Sequence, residues 1–590
     1  MILQVLTAYY EARHQIGKMP DVGWDDLLKV TFELEIDDNG TLIDVIDCRE
    51  LIQRGKKQVL EAPRMCVPAH TERSVEIAPN FLCDNSSYIF GADNKGKSKR
   101  AFECFAACAA LHHSVLDGVD SPAARAVLAY FDTWQPERAK EHPLLKDRWK
   151  DIVNNANLVF VYDCGGVRRP VAEDREIQRA WDRYYKVEDP SKPRLQCLIT
   201  GNTTWIPLTH PKIKGVRDAQ SSGASIVSFN APAFTSYGHE QCANAPISKY
   251  AAFAYTTALN HLLADSAHCR VLGDTTVVCW AENAGTAAAD LGIYALFDAP
   301  AESGLQEEDV SKALSQLARG EPCDWLSETL RPEQHLYFLG LAPNAARISV
   351  RFFLRDSLGR FAAHIQKHEE ALEIVKPSYD DRTRLSIWML ARETVNLKER
   401  NPSPAPQLAG DLLRAVLTGG RYHATLLNSA TLRIRAEHDI TRGRAAILKA
   451  YYTRNPHKLC PEEVLKVELN EQSAYPPYVL GRLFSALEAI QDAANPGINT
   501  TIKDRYFNSA CATPAVVFPT LIKLAQKHLQ KLSEGSKRYY NQQLTDLMGR
   551  LDTPFPARMT LPEQGAFELG YYHQTQKRFE KRNKEETHNG

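Results

Sequence analysis

The 590-residue sequence has no C-x-x-C pair among its 13 cysteines, and the closest two are Cys104 and Cys108. A disulfide scaffold and a four-cysteine zinc site therefore have no support, and scattered buried thiols in a reducing compartment are the simplest reading. No apolar run approaches the ~20 residues that a membrane span needs. The start, MILQVLTAYYEARHQ, lacks a basic n-region, and Glu11 and Arg13 cut its apolar stretch short, so it is not read as a signal peptide. These absences point to a soluble cytoplasmic protein. H-E-x-x-H, G-x-S-x-G and a recognisable Cys/His dyad are also missing. His112 and His113 are adjacent, which on a helix points them to different sides. An excess of either charge is lacking too: 71 Lys+Arg against 72 Asp+Glu exclude a histone-like protein.

What is present has the composition of a globular chain, 44% hydrophobic and 24% charged, long enough for several cores. TFELEI and TLIDVID alternate on either side of the turn signal DDNG, which predicts a hairpin. Residues 88–90, YIF, read as a short strand before a glycine loop and the helix AFECFAACAALHHSVL. LVFVYD at 158–163 reads as a buried strand, AAFAYTTALNHLLA at 251–264 as a helix, and GDTTVVCWA as a strand. From Val467 the apolar spacing is almost wholly helical. The expected class is α+β and multidomain, a mixed α/β N-terminal region followed by a mostly helical C-terminal bundle. The expected divisions are 1–340, a basic and mostly helical connection at 341–466, and an all-α bundle at 467–590. Charge is uneven across them: residues 281–340 hold 3 basic and 11 acidic residues, whereas 341–450 hold 18 basic and 11 acidic.

Three stretches carry chemistry. GADNKGKS at 91–98 fits the phosphate-loop pattern, with Lys97 and Ser98 for phosphates and Mg²⁺ and Asp163 as a metal-side acid, the alternative being a basic loop. Residues 209–246 combine Lys212, Lys214 and Arg217 with Gln220, Asn230 and small residues, interleaved with Phe229, Phe234 and Tyr237. Cations neutralise phosphates, amides read base edges and aromatics stack on unpaired bases; a structured core loop is the competing reading. Arg433, Arg435, Arg442 and Arg444 suit bidentate phosphate contact or a solvated face.

The blocks MILQVLTAYYE, NFLCDNSSYIFG, HPKIKGVRDAQSSGASIVSFNAPAFTSYGHEQCANAPIS, GDTTVVCWAE and GDLLRAVLTGGRYHATLLNSATLRIRAEHDITRGRAAILKAYY occur in order. Together they resemble the large subunit of the type I-C CRISPR Cascade complex. The resemblance implies a non-catalytic subunit without cofactor or metal, acting in antiviral defence. Its partners would be crRNA-containing backbone, end-capping and small subunits, target duplex DNA bearing a PAM, the displaced strand, and a helicase-nuclease recruited afterwards. It also implies a C-terminal fragment made by internal initiation, here from a non-AUG codon near Val464 or Val467. Under this reading Asn80, Asn85, Lys95, Lys97, Lys212, Lys214, Gln220 and Asn230 are expected at the PAM duplex. Arg433, Arg435, Arg442 and Arg444 are expected on a strand backbone. A P-loop NTPase and a scaffold that binds no DNA are the alternatives.

Overall fold

The computed structural model describes residues 1–588 apart from 55–56, 72, 74–75, 95–97, 284, 298–304, 401, 406 and 456–459. Two compact units emerge, Met1–Asp265 with Pro343–Ser349, and Ser266–Ala342 with Val350–Gly590. The class matches the α+β expectation. The fully buried strand Thr275–Ala281 shares one apolar core with the helices downstream.

The first unit is built on a five-stranded sheet. Leu42–Asp47, Phe32–Ile36, Leu158–Cys164 and Cys83–Asp84 lie in that order, and Val167–Pro170 also pairs with Leu158–Cys164. Alternation in FELEI sends Phe32, Leu34 and Ile36 into the core. The DDNG turn closes as its chemistry requires: Asp37 Oδ1 accepts the amides of Asn39 (2.9 Å) and Thr41 (2.8 Å), and Gly40 takes a positive φ of 73°. LVFVYD pairs in parallel with Phe32–Ile36 and is buried from Leu158 to Tyr162.

YIF departs from expectation. Tyr88 and Ile89 lie in the short helix Ser86–Ile89, which Phe90 terminates. The strand that must precede a phosphate-cradling loop is therefore a helix. Asp163 is also committed, its Oδ1 accepting the Gly166 amide at 2.7 Å across a tight turn.

The second unit has a four-stranded sheet, Cys269–Leu272, Thr275–Ala281, His335–Asn344 and Arg347–Ser357 in order, followed by helices. Arginines of the basic stretch meet acids of the sheet. Arg351 meets Asp274 at 2.9 Å and Arg355 meets Glu282 at 3.1 Å. Glu307 accepts the amides of Thr383 (3.0 Å) and Arg384 (3.1 Å). The C-terminal bundle comprises Pro476–Ala494, Ile502–Ala512, Pro514–Leu529, Glu534–Met548 and Leu561–His588. Pro476–Ala494 is buried on nearly every face, as an apolar all-round helix must be. It lies against Leu561–His588 along a seam with polar links: Tyr478 to His573 at 2.9 Å, Arg482 to Gln574 at 3.1 Å and Glu488 to Tyr571 at 2.6 Å.

Candidate nucleic-acid interface

Residues 209–247 belong to the first unit and form two loops anchored on the helix Lys249–Ala264. His210 fixes the start: its Nδ1 shares a 2.8 Å hydrogen bond with the buried Tyr255 hydroxyl. Burial lowers the His210 pKa to about 4, so the ring is neutral. Ile213 and Ala224 then exchange backbone hydrogen bonds at 2.8 and 2.9 Å, closing a neck. Asn260 clamps it, accepting the Lys214 amide at 2.9 Å and donating to the Lys212 carbonyl at 3.1 Å. A side chain at Gly223 would place its Cβ 2.7 Å from Lys212 Cβ, and φ there is +96°, so only glycine fits the neck. The loop beyond the neck carries Lys214, Arg217, Gln220, Ser221 and Ser222, all exposed. Lys212 is different: half-buried, it donates to Ser225 Oγ at 3.0 Å and braces the neck.

The second loop is tied down by Arg347. Ser225 donates to the Ala346 carbonyl (3.1 Å) and accepts from the Ile348 amide (3.0 Å). That brings the Arg347 guanidinium onto Asn230 Oδ1 and 4.5 Å over the Phe234 ring. Asn230 is exposed but its carbonyl is engaged, so it positions the loop. Ahead of Asn244, residues Ser236–His239 make a tight reversal. Asn244 Oδ1 accepts the Ser236 amide at 3.0 Å, and its Nδ2 donates to the carbonyls of His239 (3.0 Å) and Gln241 (2.9 Å). At the apex Tyr237 (φ 50°) and Gly238 (φ 76°) are both left-handed, and Tyr237 is 99% exposed. A bulky side chain in that region costs on the order of 1 kcal/mol or more, and such strain clusters at functional sites. Sequence reasoning had no signal for Arg347, which lies more than a hundred residues away, and it counted Tyr237 only as one interleaved aromatic.

The other expected residues are placed elsewhere. Asn80 is only 3% exposed; its side-chain oxygen accepts the Thr71 amide at 2.8 Å and its own amide donates to Asp84 at 2.8 Å. Asn85 donates its amide to Asp84 at 2.7 Å and caps the helix Ser86–Ile89. Both complete the cage around the buried Asp84 carboxylate, which pairs with Arg73 at 2.8 Å, because a buried charge needs all its lone pairs met. This replaces the expectation that they read bases. Lys95 and Lys97, at the centre of the GADNKGKS loop, lie outside the described residues. His112 is a neutral core residue: Nε2 accepts the Leu82 amide (3.0 Å), Nδ1 faces the Cys108 carbonyl (2.7 Å), and burial lowers its pKa to about 4.

The four arginines are engaged with neighbouring elements of the fold. Arg433 pairs with Glu437 at 3.2 Å, and Arg435 donates to Gln564 at 2.6 Å. Arg442 donates to Asp380 (3.1 Å) and the Arg382 carbonyl (2.8 Å). Arg444, 3% exposed, reaches Glu437 at 2.5 Å and Glu393 at 3.4 Å. A guanidinium this enclosed is neutralised by carboxylates at hand, which leaves Arg442 and Arg444 closed to phosphate.

Among the described residues no helix is long and apolar enough to cross a membrane, and no group of three or more metal-ligating side chains forms. A comparison with curated proteins gives no match. The sequence pattern of one family, described as CRISPR-associated protein (Cas_Csd1), matches residues 6–579, nearly the whole length. The chain belongs to that family of CRISPR-associated proteins.

Proposed function

We propose that the protein is the non-catalytic large subunit of a crRNA-guided type I-C surveillance complex in the cytoplasm. In this role it reads a short PAM duplex, opens it, holds the displaced strand and offers a surface to a helicase-nuclease. Base pairing with the guide supplies most sequence specificity in such systems, so the protein needs cations, a few base-reading groups and a device that parts the strands. The observation that carries the reading is the braced tip with Tyr237 at its apex, beside a closed loop presenting Lys214, Arg217 and Gln220. An aromatic ring held fully in solvent by a strained, internally hydrogen-bonded turn is suited to stacking on an unpaired base at a junction. Lys214 and Arg217 are suited to the flanking phosphates, and Gln220 to an adenine edge. Family membership agrees with a place in a CRISPR-associated assembly.

The test uses the assembled complex with Tyr237→Ala. Opening of PAM-bearing duplex is followed by fluorescence of 2-aminopurine beside the PAM, in parallel with a target already unpaired there. The expected result is slower opening of the duplex, roughly tenfold if one stacking interaction of ~1–3 kcal/mol is lost, with normal engagement of the pre-opened target. Equal opening by variant and wild type refutes the role of the tip.

A further inference from the structure

A groove in the C-terminal bundle lies between Pro476–Ala494, Glu534–Met548 and residues 574–578 of Leu561–His588. Its volume is about 1250 Å³, larger than the roughly 300–1,000 Å³ of a usual small-ligand pocket. Arg482 lines it and is only 6% exposed. Its Nε donates to Gln574 Oε1 at 3.1 Å, and its Nη1 donates to the carbonyls of Asn470 and Glu471, both at 3.2 Å. These acceptors are all neutral, and Nη2 has no acceptor among the described residues. A guanidinium so enclosed normally meets a carboxylate, because taking its charge out of water is costly. Arg550 lines the same groove, near enough for its charge to act on Arg482, and it forms no ion pair among the described residues. Burial lowers the Arg482 pKa, and the Arg550 charge works in the same direction against Tyr478 and Glu471.

The acids of the groove do not supply the missing countercharge. Asp492 pairs with Arg578 at 2.9 Å, and Asp546 accepts the Gln542 side-chain amide at 2.8 Å. Glu471 is exposed and forms no ion pair with either arginine. Lys577 adds a further cation to the lining. Tyr539 also lines the groove, 51% exposed, with its ring centroid 5.2 Å from that of Tyr540.

We propose that this groove binds a nucleoside phosphate, either free or as one residue of a single strand. The phosphate lies on Arg482 and Arg550, whose planar forks suit bidentate contact and whose mutual repulsion an anion removes. The base stacks on the Tyr539 ring, a contact open to any base. A bare phosphate would leave most of the volume and the exposed ring unused. The inference stands on these residues and does not depend on the DNA-binding role proposed above.

The full-length chain is titrated with deoxyadenosine monophosphate by isothermal calorimetry, and with a fluorescein-labelled oligo-dA single strand of roughly ten nucleotides by anisotropy. Arg550→Met and Tyr539→Ala are each expected to weaken binding roughly tenfold, as loss of one charge-assisted contact or one stacked base implies. Tyr539→Phe is expected to keep it. Weakening with the mononucleotide assigns a free nucleotide, weakening with the strand alone assigns a nucleotide held within a chain, and either result upholds the site. Full-strength binding by both weakened-binding variants, or no binding of either probe, overturns it. Inorganic phosphate that binds as tightly as the mononucleotide, with Tyr539→Ala unchanged, reduces the site to a bare anion and also overturns it. Urea unfolding without ligand gives a second reading. Arg550→Met keeps the aliphatic stem and removes a like charge facing Arg482, so the midpoint is expected to stay or rise. A lower midpoint shows that the Arg550 charge braces the fold, and the inference falls.

Discussion

The seam between Pro476–Ala494 and Leu561–His588 makes a demand that a single methyl group tests. A Cβ on Gly481 would lie 1.9 Å from the Phe567 carbonyl oxygen, and one on Gly570 would lie 2.2 Å from the Tyr478 carbonyl oxygen. The two glycines thus allow each backbone to rest directly on the other. Carbon contacts settle near 3.5 Å, so Gly481→Ala must open the seam by roughly 1.5 Å. Overpacking of that kind costs about 1–3 kcal/mol. The opening also stretches the neighbouring Tyr478–His573 and Glu488–Tyr571 bonds, each about 1 kcal/mol net. The expected destabilisation is therefore about 3–5 kcal/mol. Gly535→Ala is the internal contrast, since no atom lies within 4 Å of its would-be Cβ in the helix Glu534–Met548. There the intrinsic helix preference of alanine operates alone and stabilises by up to about 1 kcal/mol. Urea unfolding of the full chain, followed by amide exchange within Pro476–Ala494, reads both. If Gly481→Ala shifts the midpoint no further than Gly535→Ala, the close crossing is refuted.

Two further substitutions probe buried charge. Glu568 is buried with both carboxyl oxygens lacking a hydrogen-bond partner, and burial raises its pKa to about 8. The folded state therefore holds a proton that the unfolded state releases above its ordinary pKa near 4.5. The contribution to stability is full below pH ~4.5, falls by roughly 1.4 kcal/mol per pH unit above it, and is lost by about pH 8. Glu568→Gln should flatten the decline of the urea midpoint between pH 5 and 8, and parallel declines in variant and wild type would refute this. Arg444→Ala should cost about 3–5 kcal/mol by leaving Glu393 without its cation and Glu437 with Arg433 alone. Arg444→Met, measured by the same denaturation, should cost clearly less because it keeps the packing volume; equal losses would show that the packing volume contributes little and that the lost charge pairing accounts for the effect.

How far the sequence could be read depends on where each residue finds its partner. Alternation in TFELEI and the turn DDNG is legible because one strand face and one local carboxylate satisfy everything within a few positions. YIF is not legible: three apolar residues are too few to separate strand from helix, and the deciding contact, Asn85 capping the Ser87 amide at 3.0 Å, selects the helix. The cationic run at 433–444 misleads for a related reason. Composition gives the sum of charge, whereas the carboxylates that neutralise Arg442 and Arg444 come from Asp380 and Glu393, on other elements. The loop 209–247 lies between these cases. Its small residues and glycines mark a built loop. The choice of Lys214 over Lys212 as the exposed cation, however, depends on Asn260 and Ser225 gripping the neck. The same logic separates working charge from structural charge across the chain. A cation held by carboxylates from distant elements is part of the fold, and one lifted on a closed loop is available to a partner. By that criterion the exposed Lys214 belongs to the proposed interface, and the arginine-rich helices of the second unit hold their own core together.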